Sequence, residues 1–351
     1  MSTNALPQRG RGYRRIATEE AWAPKELIDL YRRELAAKTL DDPGFHNLWG
    51  FFAGKSERAT LLAERIQDLG ERRLADMDAT GIDMQLVSLT CPGVQIFDAA
   101  TGTSLAARFN DELAEVIRGR PDRYAGLAAI APQDPQRAAQ ELERAVRRLG
   151  LKGAIVNSHT RGEYLDDPKF WDIFAAAESL GVPVYLHPNT PSKPMIEPFL
   201  ARGLEGAVYG FAVETGLHAL RLVVAGVFDR FPRLQVVLGH LGEALPYWLS
   251  RIDFMHGIMV RTQRYASVKP LAKPLSAYLR ENFHYTTSGM GWEPPILYVH
   301  SVMGADRLLY AMDYPYQFVP EEVKVQDALP ISDEDKLKFF QTNAERLFSL
   351  R

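Results

Sequence analysis

The sequence predicts an α/β fold in the form of a (β/α)8 TIM barrel with loop insertions. Short apolar runs alternate with helix-like segments about eight times along the 351 residues. Strand–helix alternation of this kind produces a parallel sheet, and eight such units close it into a barrel. The sequence contains no internal repeat, low-complexity segment or break in composition, so residues 1–351 are expected to form a single domain.

Each of the eight predicted strands is a short apolar run that stops near a Gly, a Pro or a polar residue. In the last of them, the run Leu308–Ala311 contains no polar alternation and is soon followed by Asp313 and Pro315. A run of this kind is typical of a parallel strand that is buried on both faces. The predicted strands are Tyr13–Thr18, Met84–Thr90, Tyr124–Ala131, Lys152–Asn157, Val182–His187, Leu234–Gly239, Phe283–Ser288 and Arg307–Met312.

Helix start and stop signals separate these strands. Asp134 followed by Pro135 combines an N-cap with a proline in the first turn, and Gly150 is expected to end that helix. Ser56 is expected to cap a helix that runs to about Thr80. Further N-caps are predicted at Asp167 and Ser332, and further helices over Thr103–Arg118, Val213–Phe228, Leu241–Met255, Leu271–Asn282 and Pro294–Met303.

Two segments are predicted to lie outside the regular barrel. Residues 1–12 are polar and rich in arginine, and we expect them to form a flexible N-terminal arm. Residues 39–55 are rich in glycine, aspartate and aromatic residues. We expect them to form an insertion over the active-site end of the barrel, because long excursions of this kind usually carry function.

The bulk composition narrows the classes of function and partner. A net charge of −3 and a pI near 6.3 give no reason to expect nucleic acid or a membrane as a partner. No apolar run reaches the length of about 18 residues that a membrane span needs, and no secretory signal is present, so a cytoplasmic protein is expected. The single cysteine, Cys91, cannot form an intrachain disulfide and is more typical of a buried apolar group than of a nucleophile.

Four side chains that can bind a metal ion stand at the ends of predicted strands. Glu19 follows the first strand, His187 ends the fifth, His240 follows the sixth and Asp313 follows the eighth. The carboxyl ends of parallel barrel strands share one rim, where barrel enzymes place their active sites. Two imidazoles and two carboxylates together suit Mn²⁺ or Zn²⁺, whereas any one of them alone would more often have a structural role.

Other residues are candidates for supporting this site. Glu243 lies three residues after His240 and is expected on the first turn of the next helix, where it would orient the imidazole. Arg58 and Arg251 are candidates for gripping a carboxylate through paired hydrogen bonds, although most arginines are solvated surface groups. Aromatic side chains that could wall a flat substrate are Trp49, Phe211, Tyr314 and Tyr316.

Four motifs, in this order along the chain, carry a resemblance to a known family: TEEAW, VYLHP, GHLGEALPYWLSRID and YAMDYPY. They resemble the ACMSD-like branch of the amidohydrolase superfamily, whose members are metal-dependent TIM barrels. Within that branch the chain is similar to the 5-carboxyvanillate decarboxylases, with γ-resorcylate and 2,3-dihydroxybenzoate decarboxylases as near relatives. The resemblance covers essentially the whole chain, and it implies a dimer or a higher homo-oligomer, such as a homodimer or homotetramer.

The resemblance also implies roles for individual residues. The metal ligands of the family match Glu19, His187 and Asp313, with Mn²⁺ or Zn²⁺ as the cofactor. The hydrolases of the wider superfamily carry a second histidine after the first strand, where this chain has Ala21. The loss of that ligand weakens a hydrolase assignment and leaves metal positions open for a chelating substrate.

The remaining family residues concern the substrate. His240 and Glu243 match the catalytic pair, and Arg58 and Arg251 match the residues that hold the substrate carboxylate. Apart from the resemblance, we expect the aromatic side chains of Phe211, Tyr316 and Trp49 to border the substrate ring.

The expected reaction is non-oxidative decarboxylation of an ortho-hydroxy aromatic acid, with 5-carboxyvanillate giving vanillate and CO2 in the breakdown of lignin-derived aromatic compounds. Asp313 would protonate the ring carbon that bears the carboxylate before CO2 leaves, since direct loss of CO2 would produce a high-energy aryl anion. Three alternatives stay open: a γ-resorcylate-type decarboxylase, a metal-dependent hydrolase of a lactone or amide, and a barrel that binds an aromatic acid without turnover.

Overall fold

The structure of the protein is a computed structural model that describes residues 12–350. The predicted N-terminal arm, apart from Gly12, lies outside the described residues. Nine strands are labelled here in chain order: β1 (Ile16–Trp22), β2 (Met84–Leu89), β3 (Tyr124–Gly126), β4 (Ala128–Ala129), β5 (Ala154–Asn157), β6 (Val184–His187), β7 (Val236–Leu238), β8 (Phe283–Thr286) and β9 (Leu308–Leu309).

These strands form a closed parallel barrel. They pair in the order β1-β2-β3 and β4-β5-β6-β7-β8-β9, with every neighbouring pair parallel. Leu127 is the single residue between β3 and β4, and its N–H donates to the carbonyl oxygen of Val87 in β2. The two short strands β3 and β4 therefore together form one of the eight strands of the barrel. The last gap closes where the N–H groups of Thr18 and Ala21 reach the carbonyls of Tyr310 and Tyr314 at 3.0 and 2.7 Å. The predicted (β/α)8 barrel is therefore confirmed, while the single-domain assignment stays a prediction.

Helices cover the outside of the barrel and cross its ends. The α-helices span Lys25–Ala37, Pro43–Phe52, Glu57–Gln67, Glu71–Thr80, Ala99–Gly119, Pro135–Arg144, Trp171–Leu180, Glu197–Leu200, Gly210–Val224, Val227–Arg230, Leu249–Thr262, Leu275–Glu281, Glu293–Met303, Pro320–Asp327, Asp333–Leu337 and Asn343–Leu347. Shorter 3-10 turns span Pro168–Phe170, Leu245–Trp248 and Ala305–Arg307, and π-helical turns span Ala145–Leu149 and Lys338–Thr342. Among the described helices, none combines the length and apolarity that crossing a membrane requires.

Several local predictions are confirmed and others are corrected. The side chains of Ser56, Asp134, Asp167 and Ser332 each accept a backbone N–H at a helix start, as predicted. The helix predicted from Ser56 to Thr80 is broken, because the Asp68 side chain accepts the N–H of Gly70 at 2.6 Å. This N–H is then no longer available for the hydrogen bonds of a continuous helix. The predicted insertion at 39–55 contains the helix Pro43–Phe52.

The first strand differs most from its prediction. It begins at Ile16 and continues through Glu19, Glu20 and Ala21, all of which were expected to follow the strand. Polar residues can occupy a fully buried strand only when their charges find partners. The pairing of β1 with β2 also shifts register between Ala17 and Glu20.

The barrel interior contains a compact apolar layer at the amino-terminal ends of the strands. We call this layer the inner cluster. Its buried members are Ile16, Met84, Leu86, Ala125, Leu127, Ile155, Tyr185, Val237 and Leu309, with Ala344 and Phe348 of the C-terminal segment. The other end of the interior is lined by polar side chains, and it is the end where the four predicted metal-binding residues lie.

Candidate active site

The strands bring the side chains of Glu19, His187 and His240 close together at the carboxyl end of the barrel. The Oε1 atom of Glu19 lies 3.5 Å from Nε2 of His187 and 3.9 Å from Nε2 of His240. Glu19 is almost fully buried, at 3% exposure. Three residues from strands distant in sequence therefore meet because β1, β6 and β7 end at the same rim.

One oxygen of Glu19 is satisfied and the other is not. Oε2 accepts hydrogen bonds from the Tyr185 hydroxyl and, at 2.9 Å, from the Thr286 hydroxyl. Oε1 is buried without a hydrogen-bond donor among the described residues. An unpaired buried carboxylate oxygen is costly unless a cation receives it. The orphaned oxygen faces two imidazole nitrogens, which is the donor set expected of a divalent cation site.

The hydrogen bonds of the two histidines fix the orientation of their imidazole rings. Nδ1 of His187 lies 2.9 Å from the carbonyl oxygen of Pro188, which can only accept, so Nδ1 carries the proton and Nε2 presents a lone pair. Nδ1 of His240 lies 2.8 Å from Oε1 of Glu243. A carboxylate behind an imidazole fixes its orientation and raises its basicity.

The structure corrects the geometry predicted for Glu243. Residues 240–244 are not the first turn of a right-handed helix, since His240, Leu241, Glu243 and Ala244 have φ between 50° and 62° and Gly242 has φ 87°. A left-handed turn has the same periodicity as a right-handed one, so positions three apart still meet. Each non-glycine residue in this conformation costs about 1–2 kcal/mol, which the surrounding contacts must offset.

Asp313 stands on the opposite side of His240 from Glu243. A Cβ atom added to Gly289 would lie 3.2 Å from Cδ2 of His240 and 3.5 Å from Oδ2 of Asp313. Gly239 is similarly close to Glu19, because a Cβ there would lie 2.7 Å from Oε2. Glycines at these two positions leave the space that the acidic side chains and a bound group need.

The electrostatics of the site reflect crowded charges in a buried place. Burial raises the pKa of Asp313 well above its ordinary value, and the negative charge of Glu19 raises it further. Burial would lower the pKa of His240, but the carboxylates of Glu243 and Glu19 outweigh it and raise that pKa to about 10. Burial alone would raise the pKa of Glu19, yet His240 and His187 bring it below its ordinary value. The site thus holds more acidic groups than its histidines can neutralise.

The residues present fit a divalent cation. Within residues 12–350, no three His, Cys, Asp or Glu side chains are already set at ligand spacing around a common point. The 3.5 Å separation of Glu19 Oε1 and His187 Nε2 is nevertheless that of two ligands on one ion with bonds of about 2.0–2.2 Å. Asp313 and His240 lie beside this pair.

The candidate substrate residues differ in where they lie. Arg58 is exposed and donates to the carbonyl of Tyr316 at 3.2 Å, and the Tyr316 hydroxyl contacts the Thr90 hydroxyl at 2.6 Å. Trp49 is buried, with Nε1 donating to the carbonyl of Cys91 at 3.1 Å. These contacts connect the 39–55 segment to the loops that follow β2 and β9.

The other two candidates stand apart from these contacts. Phe211 is half-buried at the start of the helix Gly210–Val224. Arg251 is exposed on the helix Leu249–Thr262, and no contact within the described residues joins it to the Glu19 cluster.

A polar cavity of about 530 Å³ opens at the same end of the barrel. It lies between the loops that follow β2, β5 and β6 and the start of the 39–55 segment. Gln95, His159, Asn189 and Lys193 are among its lining residues. The cavity thus lies beside the loop that follows His187.

The sequence analysis missed several residues of the site. Tyr185 and Thr286 hold Glu19, but both lie inside strands and gave no signal apart from being polar residues in apolar runs. Glu20 is fully buried next to Glu19, and the sequence analysis contained it only as a letter of the TEEAW motif. A second acidic residue in a strand with no adjacent cation was the signal that could have drawn attention to it.

Two solved structures are similar to this chain. A solved 5-carboxyvanillate decarboxylase from Novosphingobium aromaticivorans, complexed with manganese and 4-hydroxy-3-methoxy-5-nitrobenzoic acid, shares 51% identity over 100% of both chains with a TM-score of 0.96. A dihydroxybenzoic acid decarboxylase from Polaromonas sp. JS666, with bound manganese and the inhibitor 2-nitroresorcinol, shares 34% identity over 96% of this chain and 97% of that one, with a TM-score of 0.84.

A third comparison uses sequence alone. The γ-resorcylate decarboxylase of Rhizobium radiobacter is 39% identical over 297 residues, covering 82% of this chain and 90% of that protein. The family model described as Amidohydrolase matches residues 42–350. The family resemblance seen in the four sequence motifs is thereby confirmed, and the chain belongs to the amidohydrolase family.

Proposed function

We propose that this protein is a metal-dependent, non-oxidative decarboxylase of ortho-hydroxy aromatic carboxylates, with 5-carboxyvanillate as its substrate and vanillate and CO2 as its products. The observation that carries the proposal is the buried, unpaired Oε1 of Glu19 facing the Nε2 atoms of His187 and His240. The relatives support the same chemistry, because they are decarboxylases of hydroxylated aromatic acids. The higher identity to the 5-carboxyvanillate enzyme favours that substrate over γ-resorcylate.

Glu19, His187 and Asp313 are the proposed ligands of the metal. Manganese is the proposed ion because it is bound in both solved relatives, and a mixed carboxylate and imidazole donor set also accepts Zn²⁺. When bound, the cation supplies positive charge beside the phenolate and carboxylate oxygens of the substrate.

Asp313 is the proposed proton donor. It takes the proton of the substrate phenol and delivers it to the ring carbon that bears the carboxylate, where the ortho oxygen makes the ring electron-rich. The bond between that carbon and the carboxylate then breaks, CO2 leaves, and the bonding electrons return to the ring and restore its aromaticity. Protonation before bond cleavage avoids an aryl anion, so the acid is needed before CO2 can leave.

His240 and Glu243 are proposed to position or relay the proton that Asp313 delivers. The carboxylate of Glu243 holds Nδ1 of His240, and the imidazole stands between Glu19 and the Gly289 position that borders Asp313. A positively charged His240 offsets the surrounding carboxylates and orients the phenol toward Asp313. We assign to this pair the positioning or relay of the proton rather than its final transfer.

Arg58 and Arg251 are proposed to hold the second carboxylate of 5-carboxyvanillate, the one that stays on the ring. The hydrogen bond from Arg58 to the carbonyl of Tyr316, which follows Asp313 by three residues, supports this role. The aromatic side chains Trp49, Phe211 and Tyr316 are proposed to border the ring. If Arg58 has this role, Arg58→Met should raise KM for 5-carboxyvanillate far more than for γ-resorcylate, which has no second carboxylate.

We also propose that the protein is a homodimer or homotetramer. Tyr247 is 72% exposed, and its ring centroid lies 5.8 Å from that of Trp248 and 6.0 Å from that of Tyr298. Exposed aromatic clusters of this kind are typical of interfaces between subunits. Light scattering after gel filtration gives the mass of the particle directly, and a monomer would reject this part of the proposal.

A substrate screen tests the proposed function. Purified protein loaded with Mn²⁺ is incubated with 5-carboxyvanillate, γ-resorcylate and an aromatic lactone, while CO2 release and ring-ester cleavage are followed separately. We expect CO2 release from 5-carboxyvanillate, its loss on chelation and its return with added Mn²⁺. Cleavage of the lactone without CO2 release would instead support a hydrolase. Binding of the acids without turnover would indicate that the protein binds aromatic acids and does not act as an enzyme on them.

A further inference from the structure

Asp313 has a backbone conformation that needs support from its surroundings. Its φ is 64°, in the left-handed region that non-glycine residues seldom adopt. A strained residue of this kind persists only where neighbouring contacts over-determine it. A proton donor must also be held within a fraction of an ångström of its target, so the groups that fix this backbone bear on the reaction.

We propose that Glu20 is the positioning residue for Asp313. Oε1 of Glu20 accepts the N–H of Met312 at 2.9 Å, and Oε2 accepts the N–H of Tyr314 at 3.2 Å. These are the amides on either side of Asp313. One carboxylate thus grips the chain immediately before and immediately after the proposed acid, and it does so from a strand at the other end of the sequence.

Tyr314 is held on its other side as well. Its carbonyl oxygen accepts the N–H of Ala21 at 2.7 Å, one residue beyond Glu20. Asp313 itself contributes one further fixed point, since its carbonyl oxygen accepts the N–H of Gln317 at 2.9 Å. The three-residue segment around Asp313 is therefore tied to β1 through both a side chain and the main chain.

Glu20 is in turn held by a buried network on the outer face of the strand. Nε2 of Gln85 donates to Oε2 of Glu20 at 3.3 Å, and Oε1 of Gln85 accepts from Nε of Arg73 at 2.6 Å. The guanidinium of Arg73 also lies 4.5 Å from the ring centroid of Tyr314 and donates to the carbonyl of Ala21 at 2.9 Å. Each hydrogen bond made to the Glu20 carboxylate within the described residues comes from an N–H donor, which suits its acceptor oxygens.

The contacts distinguish a positioning role from a simple structural ion pair. Arg73 makes its hydrogen bonds to Gln85 and to the Ala21 carbonyl, while Glu20 directs both of its oxygens to the amides that flank Asp313. Glu19 and Glu20 are adjacent and face opposite sides of β1. The strand therefore fixes a proposed metal ligand with one residue and the proposed acid with the next.

The test rests on the proposed function and compares Glu20→Gln with wild type and with Asp313→Asn. The NH2 group of the glutamine side chain would face a backbone N–H. The N–H of either Met312 or Tyr314 would therefore lose its acceptor. We expect kcat to fall by about 100-fold, the effect of a displacement near 1 Å, with KM changed less than about threefold. In the Asp313→Asn background the same substitution should cause no further loss, because it acts through Asp313.

Hydrogen–deuterium exchange provides a readout that does not depend on turnover. Glu20→Gln should speed exchange in the peptide covering residues 308–317, whose Met312 and Tyr314 amides lose protection. Glu141→Gln is the matched control, since Glu141 is a buried carboxylate that accepts from Asn110 and Arg144 on an outer helix. The control should lower thermal stability without changing kcat or exchange in that peptide.

Each outcome decides between the possibilities. Wild-type kcat with unchanged exchange in Glu20→Gln would overturn the proposal, as would an equal loss of kcat in the Asp313→Asn background. If Glu20→Gln does not fold, Glu20→Asp keeps the charge but withdraws the oxygens from the amides, and it should show the same exchange and kcat changes. If wild type releases no CO2, the proposed function has failed, and exchange alone decides whether Glu20 anchors this segment.

Discussion

At the amino-terminal end of the barrel the interior is filled by apolar side chains, whereas at the carboxyl-terminal end the same strands enclose charged ones. Ile16 and Glu19 both belong to β1, and Tyr185 and His187 both belong to β6. The inner cluster is satisfied by packing alone. The rim instead contains an unpaired carboxylate oxygen and a left-handed turn, features that lower stability unless a ligand or a network offsets them.

This difference indicates that the residues that stabilise the fold and the residues proposed to carry the reaction lie in separate layers of one barrel. Substitutions in the inner cluster should change the free energy of unfolding and leave the turnover of folded molecules intact. Substitutions at the rim should lower the turnover of folded molecules and change the free energy of unfolding much less. Tyr185 joins the layers, because its ring packs in the inner cluster while its hydroxyl donates to Glu19.

The largest expected effect is at the rim. Asp313→Asn removes the proposed proton donor, and we expect kcat to fall by about 10²–10⁴-fold while Mn²⁺ is retained. Steady-state CO2 release and metal analysis of the purified variant measure the two quantities. Asp83→Asn is the control at the other end of the barrel, where Asp83 accepts the N–H of Arg15 at 2.8 Å. Undiminished CO2 release from Asp313→Asn would remove Asp313 from the acid role.

The matching effect in the inner cluster is on stability. Leu86 is fully buried in β2, and Leu86→Ala should lower the free energy of unfolding by about 2–5 kcal/mol through lost contacts and a residual cavity. Denaturant unfolding measures this loss, and kcat per folded molecule should remain within about twofold of wild type. A large fall in kcat with no loss of stability would break the separation between the layers.

Tyr185→Phe sharpens the comparison because it alters the residue that belongs to both layers. It keeps the ring in the inner cluster and removes the donor to Glu19, so we expect Mn²⁺ affinity to fall by about 10–100-fold. Titration of the metal-free variant with Mn²⁺ measures this affinity. Tyr285→Phe is the control, since its buried hydroxyl donates to the carbonyl of Leu279. Equal affinities in the two variants would show that Tyr185 acts only by packing.

The smallest expected effect comes from one added methyl group. Gly289→Ala places a Cβ between His240 and Asp313, and we expect kcat to fall by about 10-fold, an order of magnitude below the cost of a displacement of about 1 Å. Gly150→Ala is the control, because Gly150 also has a positive φ, 77° compared with 61° at Gly289. A Cβ added at Gly150 would meet no atom within 4 Å. Both variants should lose about 1 kcal/mol of stability. A fall in kcat shared by both would assign the effect to the backbone.

Much of this architecture could be predicted because it depends on local pattern and on one global rule. Asp134 followed by Pro135 is a helix start in any context, and apolar runs that alternate with helices give a barrel. Glu19, His187 and His240 were expected together because parallel strands share an end. The same rule placed Asp313 beside them.

What could not be predicted depends on contacts that form only in the closed barrel. The turn at residues 240–244 has the composition of a helix start but is left-handed, and Gly242 packs closely within it, since an added Cβ would lie 2.8 Å from the Tyr285 ring. The roles of Glu20 and Tyr185 depend on partners that lie far away in sequence. Local pattern contains no information about such partners.

The closing hydrogen bonds between the first and last strands have a consequence for how the protein is made. The bond from Tyr314 to Glu20 joins positions 294 residues apart in the chain. A nascent polypeptide leaving the ribosome can pack earlier helices and strands first, but it acquires a complete active centre only after Tyr314 has emerged. Fragments that end before Tyr314 would therefore be inert.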